Sequence, residues 1–299
     1  MLWVIPALWS SNYIIARAAD GVIAPHVLAL GRWVFALLLM VPFVWRDRAS
    51  IVVAWRTEWR QCLVLGALGM WICGAFVYIG AQTTTATNIG LIYAAAPVGI
   101  ALASRWVLKE RITTLQMGAM GMALLGVLVV IAKGNLLGLL QAQFVAGDVW
   151  LLVACASWIA YSVLLQRWSS ALGPRQRLAC ITAGGLLVLL PFTLLEAALQ
   201  PALPWSWKGV ALIVLAGVLP GFLSYQGYAL MLRELGATRT SMVLYLAPVY
   251  GALNAWWLLG EEPQWFHLLG AALILPSIRL ATRGVARSPG TAVRPQSAD

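Results

Sequence analysis

The residues able to handle a small molecule are mostly neutral. Trp9, Asn12 and Tyr13 are spaced three and four apart, which places them on one face of a helix. Tyr78, Tyr93, Trp158, Tyr161, Tyr225, Tyr228 and Tyr245 also fall inside apolar stretches, as do all 8 tyrosines of the chain. An interior Tyr or Trp brings a large apolar face and one hydrogen-bonding tip. Several around a cavity would hold an apolar side chain and still satisfy an amino or carboxylate group. Arg32 is the one basic residue inside an apolar stretch. Its planar fork could take a carboxylate bidentately, pair with a helix end, or snorkel to the surface. For Trp9, Trp158, Tyr78 and Tyr228, cavity lining competes with helix packing. Trp45, Trp55, Trp59, Trp205, Trp207 and Trp265 stand near the ends of stretches and read as an interfacial belt.

The acidic residues inform by position. Asp20, Asp47, Glu58, Glu110, Asp148, Glu196, Glu234, Glu261, Glu262 and Asp299 all fall in or beside loops. An ionisable group within a bilayer is a candidate proton carrier, and no carboxylate sits mid-stretch. The expectation is that no buried carboxylate couples the chain to protons. His26 and His267 lie near stretch ends and read as interfacial or core residues. Cys62, Cys73, Cys155 and Cys180 form no CxxC pair and read as buried, reduced thiols. No His, Asp, Glu and Cys groups converge as an enzyme site requires, so neither catalysis, a metal nor a cofactor is expected.

These residues need apolar elements to hold them. Of 299 residues, 62% are hydrophobic and 10% charged, against about 25% charged in a soluble domain. So few charges cannot cover a soluble exterior, and so apolar a chain is not disordered. A membrane-spanning helix needs about 20 apolar residues. Candidates run over Leu2–Ala16, His26–Trp45, two within the uncharged Gln61–Ser104, Ile112–Ala132, Val149–Gln166, Leu178–Leu195, Gly209–Leu232, Thr240–Gly260 and Pro263–Ile278. The polar run Gln82–Thr87 divides the uncharged stretch. Ala16–Ala18 resembles a signal cleavage site, but no basic residue precedes the apolar run, which carries Ser10, Ser11 and Asn12; it reads as the first span. The total is an all-α integral membrane protein of ten spans.

Charge placement tests that count. With the N-terminus inside, 16 of the 20 basic residues fall in inside segments, among them Arg46, Arg48, Arg56 and Arg60 in the loop after the second span. Only Arg17, Lys133 and Lys208 fall outside. This positive-inside bias puts both termini in the cytoplasm. It explains the net charge of +10 without nucleic acid.

The chain also resembles itself. Ala86-Thr87 aligns with Ala237-Thr238, Ala96-Pro97-Val98 with Ala247-Pro248-Val249, and Glu110 with Glu261, all at an offset of 151. Trp9 and Trp158, Pro42 and Pro191, and Tyr78 and Tyr228 match at 149 or 150. Five spans per copy is an odd number, so the copies must be inverted, an arrangement typical of secondary transporters. The expected units are residues 1–140 and 141–283, with 284–299 a disordered cytoplasmic tail. Pro97 and Pro248 should kink their spans as gates. Pro42 and Pro191 should end theirs.

W-S-S-N-Y at Trp9–Tyr13, L-G-R-W-V-F-A at Leu30–Ala36, L-K-E-R at Leu108–Arg111 and L-G-E-E at Leu259–Glu262 resemble motifs of the drug/metabolite transporter superfamily, EamA-type branch. The resemblance runs from Trp9 to about Thr282. It implies a ten-helix carrier of the bacterial cytoplasmic membrane that exports amino acids, other metabolites or toxic compounds. Within the family the chain looks most like the YddG-like amino-acid exporters. The implied partners are a small-molecule substrate and the lipid bilayer, with the chain acting as a monomer. A drug or organic-cation exporter, and a membrane protein without transport, are the alternatives.

Overall fold

The computed structural model describes residues 1–200, 204, 206–259 and 262–282. Among them every regular element is helical, as an apolar solvent demands: a helix satisfies its backbone within one segment. Helix α1 (Val4–Ala19) passes through a turn at Gly21, φ +65°, into α2 (Pro25–Val44), which starts on a proline. One tight turn, Trp45–Asp47, leads to α3 (Arg48–Gly66). A π-helical turn, Ala67–Ile72, joins α3 to α4 (Cys73–Ala81). Next come α5 (Ala86–Ala94), capped by the Thr85 hydroxyl, then α6 (Ala96–Val107) and α7 (Thr114–Ile131), which begins with a Thr113/Gln116 capping box.

The second part of the chain holds α8 (Ala146–Arg167), α9 (Pro174–Leu199) and α10 (Trp207–Ala216). A second π-helical turn, Gly217–Leu223, joins α10 to α11 (Ser224–Leu235). Helix α12 (Ala237–Ser241) tightens to a 3₁₀ segment, Met242–Leu246, before α13 (Ala247–Leu259), and α14 (Trp265–Thr282) follows.

Six helical stretches are long and apolar enough to cross a membrane: Pro25–Ala81, Thr87–Val107, Thr114–Ile131, Ala146–Arg167, Pro174–Leu199 and Trp207–Leu235. The first contains 57 residues, which at about 1.5 Å each is more than two hydrocarbon thicknesses. Trp265–Ala281 is apolar but shorter. Leu38, Leu187, Leu194 and Leu268 are each more than half exposed, as lipid-facing side chains would be.

Packing is closest where backbones meet. Helix α9 lies along α2 and α3, α8 along α4, and α7 along α14. A Cβ on Gly66 would come within 2.2 Å of the Gly185 backbone nitrogen, so α3 and α9 touch with no side chain between them. Gly126 and Gly270 play the same part between α7 and α14.

The structure departs from the sequence reading at three places. Arg48, Arg56, Glu58 and Arg60, expected in a loop, lie in α3, since no glycine or proline interrupts the chain from Arg48 to Leu65. Pro42 and Pro191 do not end their helices but lie inside α2 and α9. A proline ring removes one hydrogen bond, and packed neighbours carry the helix past it. Trp205, Glu261 and the tail from 284 to 299 lie outside the described residues.

Candidate functional site

A cavity of about 360 Å³ opens among α1, α2, α4, α5, α7, α8, α11 and the segment from Leu244 to Gly251. Helix α1 supplies Trp9, Asn12 and Tyr13 from one face, through their three- and four-residue spacing. Arg32, Tyr93, Trp158, Tyr225 and Tyr245 complete the predicted residues that line it. Pro6, Cys73, Val77, Ile89 and Leu244 also line it and gave no signal in the sequence beyond their apolarity.

Arg32 is 2% exposed, and its charge meets neutral groups. Its Nη1 donates to Asn12 Oδ1 (3.3 Å) and Tyr78 Oη (3.1 Å), and its Nη2 to the carbonyl of Pro220 (3.2 Å). The guanidinium lies 4.7 Å from the Trp33 ring centroid and 5.9 Å from that of Tyr225, both within cation–π range. Among the described residues no carboxylate lies within ion-pair distance of it. A buried cation with only dipoles around it forgoes its best partner, an anion. The Arg32 Nε, Trp158 Nε1, Tyr93 Oη and Tyr245 Oη have no hydrogen-bond partner among the described residues. Each belongs to a side chain that lines the cavity, although the polar atoms themselves are buried behind its surface.

Below Arg32 the wall is aromatic. Trp9 meets Trp158 edge-on at 4.8 Å between centroids and Tyr225 at 5.6 Å. Tyr78, Tyr161 and Tyr228 stand one layer behind. Tyr78 donates to Asn12 Oδ1 (2.9 Å) and so orients the group that receives Arg32. Tyr228 packs on Trp9 and Trp158 and donates to Ser162 Oγ (2.9 Å). Tyr161 stacks on Trp158 at 5.2 Å and lines a second cavity of about 530 Å³, with Gln166, Arg177 and Arg233. The Trp158–Tyr161 stack is thus a partition between two cavities. Pro248 lines the first cavity. Pro97 does not, and its carbonyl accepts from Ser241 Oγ at 3.5 Å. Each proline is the second residue of a helical segment, α6 or α13, that starts after a break in helical register.

The loop-side acids are not all exposed. Asp148 is 1% and Glu196 8% exposed, because each satisfies donors at a helix end. Asp148 caps α8 by accepting from Val145 N (2.9 Å), and also binds Thr84 and Asn88 (2.7 Å to the latter). Glu196 accepts from the His26 backbone (2.9 Å) and meets its ring Nδ1 at 2.8 Å. Glu110 accepts from Ala237 N, Thr238 N and Thr238 Oγ1 (2.6 Å for the hydroxyl). Glu58 holds Ser170, and Asp47 holds Gln176. All five clasp residues before 140 to residues after it.

Comparison with known proteins gives these geometries a context. The profile of the EamA-like transporter family matches residues 1–132 and again 145–283. An uncharacterized transporter of Archaeoglobus fulgidus is 24% identical over 276 residues, covering 92% of this chain and 93% of that one. The uncharacterized transporter YyaM of Bacillus subtilis is 28% identical over 292 residues, covering 96% and 94%. An S-adenosylmethionine/S-adenosylhomocysteine transporter of Chlamydia trachomatis is 22% identical over 273 residues, covering 85% and 80%. A solved structure, described only as a crystal structure of protein, superposes with a TM-score of 0.76 over 94% of each chain at 18% identity, a likeness of fold.

Proposed function

The chain belongs to the EamA-like transporter family and is a multi-pass membrane transporter of a small molecule; from that premise we propose that it exports amino acids, aromatic and other apolar ones included, and related metabolites. It does so by alternating access between two inverted five-span repeats, 1–140 and 141–283, rather than by catalysis. The observation that carries the substrate reading is Arg32: a buried guanidinium with neutral partners, facing a cavity walled by Trp9, Trp158 and Tyr225. A carboxylate would satisfy the charge, and an apolar side chain would fill the aromatic wall. The buried phenol and indole groups of Tyr93, Tyr245 and Trp158 would serve the remaining polar atoms once their side chains rotate toward the ligand.

Several features support the two-repeat reading. The family profile matches twice. The π-helical turns begin at Ala67 and Gly217, 150 residues apart. Pro97 and Pro248 hold the same place after a break in register, as gating breaks would. The chain is taken as a ten-span monomer of the bacterial cytoplasmic membrane, and the positive-inside bias supports both termini being cytoplasmic. With the acids engaged as clasps at helix ends, transport runs down the substrate gradient without proton coupling.

Counterflow in proteoliposomes tests this. Labelled L-tryptophan should exchange, and other apolar amino acids should compete while their decarboxylated amines do not. Arg32→Gln should lower the rate at least about tenfold, the equivalent of one charge-assisted hydrogen bond. Equal competition by amines and amino acids would sink the carboxylate reading, and proton movement driven by a substrate gradient would sink the uncoupled one. A second reading draws on the chlamydial relatives: S-adenosylmethionine or S-adenosylhomocysteine, with the purine against the aromatic wall and its amino-acid end at Arg32. The same competition assay separates the two.

A further inference from the structure

Each π-helical turn leaves one carbonyl without its ordinary partner, and in both turns it is the same one. In an α-helix the Cys73 N–H would reach the Gly69 carbonyl, four residues back. It reaches Leu68 instead, five back. The Ser224 N–H reaches Leu219, five back, and is shared with Gly221, three back, so Pro220 is passed over. Gly69 and Pro220 are 151 residues apart, the offset at which the sequence repeats. A bypassed carbonyl inside a bilayer must find a donor elsewhere.

Both find it on a side chain that lines the cavity, and the donors cross over. Tyr225, from the second part of the chain, donates to Gly69 in the first turn at 2.8 Å. Arg32, from the first part, donates to Pro220 in the second turn at 3.2 Å. The other side chains that reach these turns, Ser157, Trp33 and Ser224, do not line the cavity.

We propose that Arg32 and Tyr225 tie the two π-helical turns to the cavity, and that a substrate carboxylate seated on the free Nε and second Nη2 hydrogens of Arg32 draws the guanidinium off Pro220 and loosens the second turn as a hinge. Binding and bending are then one exchange of hydrogen bonds. The guanidinium moves toward the charge it pairs with, its Nη2–Pro220 bond (3.2 Å) breaks, and the freed carbonyl must be satisfied by a change of register. This deepens the amino-acid reading and rests on it only for the identity of the anion.

Backbone hydrogen exchange of the full chain in lipid nanodiscs tests the ties without any substrate. Tyr225→Phe keeps the ring and removes the donor. It should speed exchange over residues 67–74 by about fivefold, the loss of one net hydrogen bond. Arg32→Gln should do the same over 217–225. Each change should stay with its own turn. Unchanged rates, or a rise spread evenly along the chain, would overturn the ties. L-Tryptophan should then speed exchange over 217–225 in the unaltered protein, and tryptamine, which lacks the carboxylate, should not. Tryptophan that binds, as judged by competition, but leaves 217–225 unchanged would overturn the coupling. If tryptophan fails to bind, the amino-acid reading falls, and the two variants still decide the ties.

Discussion

The two π-helical turns occupy matching positions in the chain but are made in different ways. The first, Ala67–Ile72, contains no proline. Gly66 ahead of it is pressed against the backbone of Gly184 and Gly185, and Gly69 against the Tyr161 ring. Side chains from three other helices cover its carbonyls: Ser157, Tyr225 and Trp33. The second, Gly217–Leu223, contains Pro220, which lacks the N–H an α ladder needs. Among the described residues, the side chains that donate to its carbonyls are those of the nearby Ser224 and of Arg32. The first turn is imposed by its neighbours. The second has a proline in its own sequence, and its one donor from another helix is a charged side chain. The contrast suggests a fulcrum and a responsive hinge, and five substitutions would break or sharpen it.

The largest effect should come at the fulcrum. Gly66→Val places carbon within 2.2 Å of a backbone nitrogen that no rotamer change can clear. A loss of about 3 kcal/mol or more is expected, seen as a lowered thermal midpoint and aggregation in detergent. Gly217→Ala meets the Phe35 ring at 2.9 Å, together with the Arg32 carbonyl at 3.0 Å. It should cost about 1 kcal/mol. Equal costs at the two sites would remove the distinction. The next effect is on rate rather than stability. Pro220→Ala restores an N–H and permits α register, so counterflow should slow several-fold while stability moves by less than about 1 kcal/mol. Undiminished transport would argue that the second turn need not stay π-helical. The smallest difference is between two serines. Ser157→Ala removes a cross-helix donor (2.8 Å) and should cost about 1 kcal/mol, whereas Ser224→Ala removes a local one and should cost about 0.5 kcal/mol. Paired thermal unfolding curves would show whether the order holds.

The acids make a related point. Their absence from the middle of the apolar stretches is plain in the sequence and argues against a proton carrier. What they do instead was not legible. Asp148 and Glu196 look like loop residues, yet each is buried because a helix end and a partner from across the molecule come to meet it. Sequence places a carboxylate at a helix terminus, but the donor that reaches it depends on which helix packs alongside.

Sequence by itself determined the membrane class, the family and the stock of candidate binding groups. Those follow from local properties: runs of apolar residues long enough for a bilayer, a scarcity of charge, and short motifs in the right order. Of the predicted binding residues, Trp9, Asn12, Tyr13, Arg32, Tyr93, Trp158, Tyr225 and Tyr245 were brought to one cavity. Periodicity could pair Asn12 with Trp9, since both lie on one helix. It could not separate Tyr225 at the cavity from Tyr228 behind it, because that turns on the rotation of α11 against α1 and α8. Nor could it show that Arg32 reaches a carbonyl 188 residues away. Helix rotation, π register and the crossing of donors between the two parts are set by packing across the bundle, a property of many helices together that no single stretch contains.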